Sequence, residues 1–137
     1  MIRAVIDTNV LVSGLLSPNG NEALILLAIH QGLLHPCFCD DILAEYAGVL
    51  ARPKFRFPPD EIAALLAMLQ AKGHRIASQP SEVVSPDPAD TKFVACAIAG
   101  AAEFIVTGNK RHFPDAPYGA ALVVNAAELL DRITVEL

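Results

Sequence analysis

Four stretches of this sequence place carboxylates, or residues that work beside them, where the surrounding pattern is apolar. In Ala4-Val5-Ile6-Asp7-Thr8-Asn9 an apolar run stops on an acid, and the apolar pattern resumes at Val10. Glu45 lies beside a stripe of Ile42, Leu43, Tyr46, Val49 and Leu50 at helical spacing, with Asp41 one turn earlier on the same side. Asp90 shares a helical face with Val94, Ala97 and Ala101. A charge on such a stripe is costly unless it is paired or bound to metal. Thr107-Gly108-Asn109 follows the apolar run Phe104-Ile105-Val106.

Each stretch has an ordinary explanation. Asp7 suits a helix N-cap. Glu45 can snorkel outward from the edge of its stripe. Asp87 and Asp90 can be the cap and third residue of one helix, both favoured by its dipole. Thr107-Gly108-Asn109 can be a plain turn. Together they carry more, because all four fall where strands and helices meet at one edge. Carboxylates gathered in one place repel, and their pKa values rise unless a cation neutralises them. Mg²⁺ and Mn²⁺ are hard cations that prefer oxygen ligands. Such an ion can activate water and stabilise charge on a phosphoryl group. The sequence has no P-loop, no Cys/His zinc set and no G-x-S-x-G. The acids therefore point to metal-assisted phosphodiester hydrolysis more than to acyl transfer.

The elements that must position these residues alternate between strands and helices. Arg3 to Ile6 reads as a strand, and Asn9 to Leu16 as a helix stopped by Ser17-Pro18-Asn19-Gly20. Glu22 to Gln31 is a second helix closed by Gly32, and Leu34 to Cys39 a second strand. Asp40 caps a helix through Leu50, and Arg52 to Pro58 is a break. Pro59 to Lys72 is a helix, with Pro59 in its first turn and Gly73 just past its end. His74 to Ala77 is a weak strand, and Gln79 to Asp87 a loop broken by prolines. Asp87-Pro88 opens a helix running to about Ala101. Phe104 to Val106 and Ala121 to Val124 are strands, and Ala126 to Asp131 a last helix. This order predicts one α/β domain over residues 1–137, with a parallel sheet covered on both faces. Ligands in such folds sit outside the carboxyl ends of the strands.

The bulk numbers narrow the function. The chain has 137 residues, 53% of them hydrophobic, and a formal charge of −5. That balance argues against binding nucleic acid through bulk positive charge. Setting aside Asp7, Glu45 and Asp90 takes −5 to −2, so the remaining surface is nearly balanced and any steering toward nucleic acid is local. Arg52-Pro53-Lys54-Phe55-Arg56-Phe57 interleaves cations with aromatics, so bases can stack on the rings while the cations meet phosphates. Equally, the two Phe can be half-buried anchors of a surface loop. Lys110 and Arg111 stand nearer the acids, and His112-Phe113 reads as packing. His30, His35 and His74 have no ligand spacing. Cys37, Cys39 and Cys96 form no zinc pattern and read as apolar core residues of a reduced, cytoplasmic protein. No signal peptide is evident, and the longest apolar run, Ala23 to Ile29, falls far short of the roughly 20 residues that span a bilayer.

VIDTNVLVSGLL at 5–16, the glutamate of ILAEYAGVLARPKF at 42–55 and DPADTKFVACAIAGAAEFIVTGNKRHF at 87–113 resemble, in this order, the PIN-domain family. Within it the chain looks most like the VapC-like toxin ribonucleases of prokaryotic toxin–antitoxin pairs. The resemblance covers nearly the whole chain. It implies a three-layer α/β/α sandwich with a central parallel sheet of four to five strands. It also implies Mg²⁺- or Mn²⁺-dependent endoribonuclease activity on RNA, a cognate antitoxin and a homodimer. Asp7, Glu45 and Asp90 match the family's three acids and its metal ligands. Thr107 and Asn109 match a T-x-D/N position where many members carry an aspartate. The neutral Asn109 weakens the case for a second ion, and Asn9 is placed to orient Asp7 or a water. Two other classes stay open. One is an RNA- or protein-binding module with a degenerate site. The other is an acid-cluster phosphatase, disfavoured because Asp7-Thr8-Asn9 lacks an aspartate two residues after the first.

Overall fold

Ala4, Val5 and Ile6 are each fully shielded from solvent. Successive strand residues point to opposite faces, so the strand that carries them is covered on both sides. That strand, β1 (Ile2–Ile6), is the centre of a five-stranded sheet in a computed structural model that describes residues 2–77, 90–114 and 116–133. The remaining described elements are α1 (Thr8–Leu16), α2 (Asn21–His30), β2 (Leu34–Phe38), α3 (Asp40–Leu50), α4 (Pro59–Lys72) and β3 (His74–Arg75). After them come α5 (Thr91–Ala99), β4 (Phe104–Val106), β5 (Leu122–Val124) and α6 (Ala126–Leu130). Short 3-10 turns occupy Pro53–Phe55 and Lys110–His112.

The strand order is β3-β2-β1-β4-β5, and every pairing is parallel. The architecture is the expected three-layer α/β/α sandwich, with five strands. From β1 the chain moves to β2 and β3 on one side, and later to β4 and β5 on the other. The gap beyond the ends of β1 and β4 is thus the switch point at which open parallel sheets leave a crevice. The two strands pair Ile6 with Val106, and Asp7 N–H donates to Val106 O at 2.9 Å. Asp7 and Thr107 are therefore neighbours because of the sheet register.

The element ends follow local chemistry. α4 runs from Pro59 to Lys72, as the sequence predicts. α2 closes as expected: Gly32 takes φ +76°, Gly32 N–H donates to Ile29 O, and Leu33 N–H to Ala28 O. α5 stops at Ala99, short of the expected Ala101. Ala101 itself takes the left-handed conformation at φ +50°, with Ala102 N–H closing on Ala97 O. Ala101 is exposed, so the stripe that Asp90 shares is buried at Val94 and Ala97 but not at Ala101. The expected opening of this helix at Asp87 lies outside the described residues. Asp40 is the first residue of α3 and its cap is Cys39; the Asp40 carboxylate pairs with Arg75 at the end of β3. Cys37, Cys39 and Cys96 are buried and free, and burial, with the neighbouring thiols adding to it, pushes Cys96 up to about 12. Among the described residues no single helix is long and apolar enough to cross a membrane.

Candidate active site at the carboxyl edge of the sheet

Asp7 sits at the N-cap position of α1, yet its side chain makes no cap hydrogen bond. Its Oδ2 instead accepts from the Thr107 hydroxyl at 2.7 Å. Asp7 is 4% exposed. Burial raises its pKa above the ordinary 3.8, opposed by the Thr107 hydrogen bond, with the nearby Glu45 charge raising it and His112 lowering it.

Glu45 reaches this edge because α3 is pinned to β1. The buried Tyr46 hydroxyl donates to Ile6 O at 2.5 Å, which carries the preceding residue to the start of α1. There the Thr8 hydroxyl donates to Glu45 Oε2, and Lys92 Nζ lies 2.7 Å from Glu45 Oε1. Asp90 precedes α5, 7% exposed, and its carboxylate also makes no cap hydrogen bond. His112 Nδ1 stands 3.0 Å from Asp90 Oδ2. The same His112 is close enough to Asp7 to act on its pKa. Three acids from three parts of the chain thus lie along the carboxyl edge of the sheet, with Thr107 on Asp7, Thr8 and Lys92 on Glu45, and His112 beside Asp90.

The fourth stretch is a double turn. Thr107 Oγ1 accepts from Asn109 N–H at 3.0 Å, and the Asn109 side chain accepts from Arg111 N–H at 3.2 Å. Thr107 is fully buried. Thr107→Val keeps the shape and removes the proton given to Asp7. It is expected to cost about 1–3 kcal/mol in chemical denaturation, because a buried acceptor loses its donor, while Thr107→Ser restores most of it.

Asn9 is exposed on α1, and among the described residues no hydrogen bond joins it to Asp7. Lys110 pairs with Glu128 Oε1 at 2.5 Å, and that pairing leads in holding the Glu128 carboxyl below its usual range. Lys110 therefore leans toward α6. Arg111 is exposed. In the Arg52–Phe57 loop the cations Arg52, Lys54 and Arg56 are exposed. Phe55 and Phe57 stack on each other at 5.5 Å and pack on the core, with Lys54 over the Phe55 ring at 5.1 Å. Each ring thus has one face already used. Thr8, Lys92 and His112 were not singled out for this site from the sequence. They are ordinary residues in ordinary places until the fold brings them to an acid.

The donor set suits a hard divalent ion. The acids supply oxygen ligands, the Glu45 charge adds to the cost of ionising Asp7, and the edge is open to solvent beside Glu45, whose side chain is 24% exposed. Among the described residues no three His, Cys, Asp or Glu side chains form a ready-made cage. Mg²⁺ does not need one, since it is commonly held by one or two carboxylates and its own waters. Lys92 meanwhile offsets the charge of Glu45 from within the protein.

A PIN-domain family model matches residues 3–111. Among solved structures, the chain is similar to one in the crystal structure of VapBC2 from Rickettsia felis bound to a DNA fragment from their promoter. The likeness has a TM-score of 0.59 at 14% identity, over 90% of this chain and 99% of that one. A comparison with curated proteins gives no significant match. At that identity the structural likeness speaks for the fold, and the family model adds the sequence pattern over most of the chain. On those two findings, together with the parallel sheet and its acid-lined switch point, the chain belongs to the PIN-domain family.

Proposed function

We propose that this protein is a divalent-metal-dependent endoribonuclease, cutting RNA phosphodiester bonds as the toxin of a toxin–antitoxin pair. One observation carries the reading. Asp7, Glu45 and Asp90, far apart in sequence, come from the end of β1, from α3 and from the start of α5 to one edge of the sheet, where burial makes Asp7 costly to ionise. Stability alone does not call for that arrangement.

Asp7, Glu45 and Asp90 are the residues that would hold Mg²⁺ or Mn²⁺. When bound, the ion supplies Lewis acidity and a lowered pKa for water. The protein's own groups do the rest. Thr107 and Thr8 fix the carboxylates of Asp7 and Glu45 through their hydroxyl protons. The buried β1–β4 floor excludes solvent from beneath the site. Arg111 and the cations of the Arg52–Phe57 loop provide local attraction for phosphates, which the overall charge of −5 does not.

The VapBC2 likeness supports a protein partner for this chain. Such an antitoxin would present a cation, best an arginine in a short basic segment, to the acidic edge. An apolar groove lined by Leu15, Leu65 and Met68 gives it a second hold. As in the family, a homodimer in the cytoplasm is the expected setting.

The test is cleavage of a mixed RNA pool by purified protein in Mg²⁺, Mn²⁺ or EDTA, alongside Asp90→Asn. The expected result is cleavage that requires the ion and disappears in the variant. A folded, antitoxin-free protein that cuts nothing in any buffer would overturn the nuclease reading. It would favour a binding module, which the neutral Asn109 and the internal charge compensation by Lys92 already make physically coherent.

A further inference from the structure

Glu45 meets the rest of the protein through both of its carboxylate oxygens. The Thr8 hydroxyl donates to Oε2, and Lys92 Nζ lies 2.7 Å from Oε1. The two partners differ in how firmly they are held. Thr8 opens α1 and is buried. Lys92 stands in the first turn of α5 with its side chain 24% exposed, and its ammonium lies 5.4 Å from the ring of the buried Phe93. A lysine head on a flexible stem at a rim can swing into water. The helix that carries Glu45 cannot follow it, because the next residue, Tyr46, is buried and bonded to Ile6 O. A divalent ion ligated by Glu45 therefore meets a carboxylate on which one cation is already seated. Two cations on one carboxylate repel, so the ion and the lysine compete.

We propose that Lys92 is a specificity-determining residue of the metal site: a built-in cation that holds Glu45 until a divalent ion displaces it. The proposal rests on the metal reading above. A monovalent ion brings no more charge than the ammonium it would replace, so the exchange gains little. A divalent ion brings twice that charge. While the pair is closed, Glu45 is not open to the ion, and the apparent affinity falls by the fraction of time the carboxylate is open. Removing the ammonium should therefore tighten ion binding. A lysine that merely aimed Glu45 at the ion would act in the opposite direction.

Two readouts test this on the full chain. The first is Mn²⁺ affinity by calorimetry, in sodium chloride and in tetramethylammonium chloride of equal ionic strength. Lys92→Met keeps an unbranched apolar stem beside Phe93 and should bind Mn²⁺ about fivefold or more tightly than wild type. Lys54→Met removes an exposed lysine of the Arg52–Phe57 loop and should stay within about twofold. Sodium should weaken Mn²⁺ binding by Lys92→Met and leave the wild type unchanged. The second readout needs no metal. In EDTA, Lys92→Met should lower the urea midpoint of the wild type clearly more than that of Glu45→Gln, where no charge is left for it to pair with. Equal or weaker Mn²⁺ binding by Lys92→Met, or the same loss of stability in both backgrounds, would overturn the exchange alone. Sodium acting alike on both proteins would overturn the selectivity. Mn²⁺ binding by Lys92→Met and not by the wild type would support the exchange in its strongest form. Mn²⁺ binding by neither would overturn the metal reading and, with it, the role that depends on it.

Discussion

Asp7→Asn is expected to make the metal-free protein more stable while abolishing the proposed RNA cleavage. Burial raises the pKa of Asp7, so the folded state binds its proton more tightly than the unfolded chain does. The sign follows directly. The favourable contribution of protonated Asp7 is full below the ordinary value of 3.8 and is lost as pH rises through the raised folded value. At neutral pH the ionised side chain is therefore a net cost. Asparagine has no charge to bury, and its Oδ1 can still accept the Thr107 proton. The variant should melt higher at neutral pH, by something on the order of 1 kcal/mol, the scale on which relief of a destabilised functional site is felt. The difference should close as pH falls toward 3.8. Mn²⁺ should then raise the melting temperature of the wild type and not of the variant, since an ion that binds only the folded state stabilises it by mass action. Cleavage should fall by at least about 10²–10³-fold, as for other single groups acting at a reacting centre. Melting curves with and without Mn²⁺ across the pH range, with a cleavage assay, check all of this. A variant less stable than wild type at neutral pH would mean that Asp7 is a structural acceptor.

The same residue shows what a sequence can disclose. Asp7 and Asp90 were legible because each interrupts an apolar pattern, and an acid in such a place needs a reason. Thr107 was legible because it follows a strand that had to be buried. The sheet order was not legible, but its consequence was: parallel strands put these residues at one edge. Lys92 and His112 gave no such signal. A lysine in a helix and a histidine before a buried Phe are commonplace, and only tertiary geometry turns them toward Glu45 and Asp90. The ends of α2 and α5 make the same contrast in the backbone. Both close through the same pair of hydrogen bonds around a left-handed residue. Gly32 announced the first, whereas Ala101 hid the second, because alanine carries no turn signal.

Gly73 had a signal that pointed to the right place for an incomplete reason, and its replacement should have the largest effect on folding. Its position after Lys72 suggests a left-handed helix cap. Its φ is −112°, which any residue can adopt. What excludes a side chain is space. A Cβ built on Gly73 would lie 2.2 Å from Pro36 O and 2.7 Å from Leu69 O, both backbone atoms. Neither can swing aside as the end of a flexible side chain can. Pro36 is in β2, and Gly73 leads directly into β3, whose His74 pairs with Cys37. Relief of the clash must therefore pull β3 from the sheet or shift α4. Gly73→Ala should cost about 3 kcal/mol or more in denaturant unfolding, the upper range for overpacking a fixed site. Gly32→Ala is the control. It sits at φ +76° with nothing within 4 Å of the added carbon, so it should cost only the backbone penalty of about 1–2 kcal/mol. If conformation alone explained these glycines, Gly32→Ala would be the worse substitution. The opposite order would establish that α4 and β2 meet here backbone to backbone, in the contact that seats the edge strand beside the one leading into Glu45's helix.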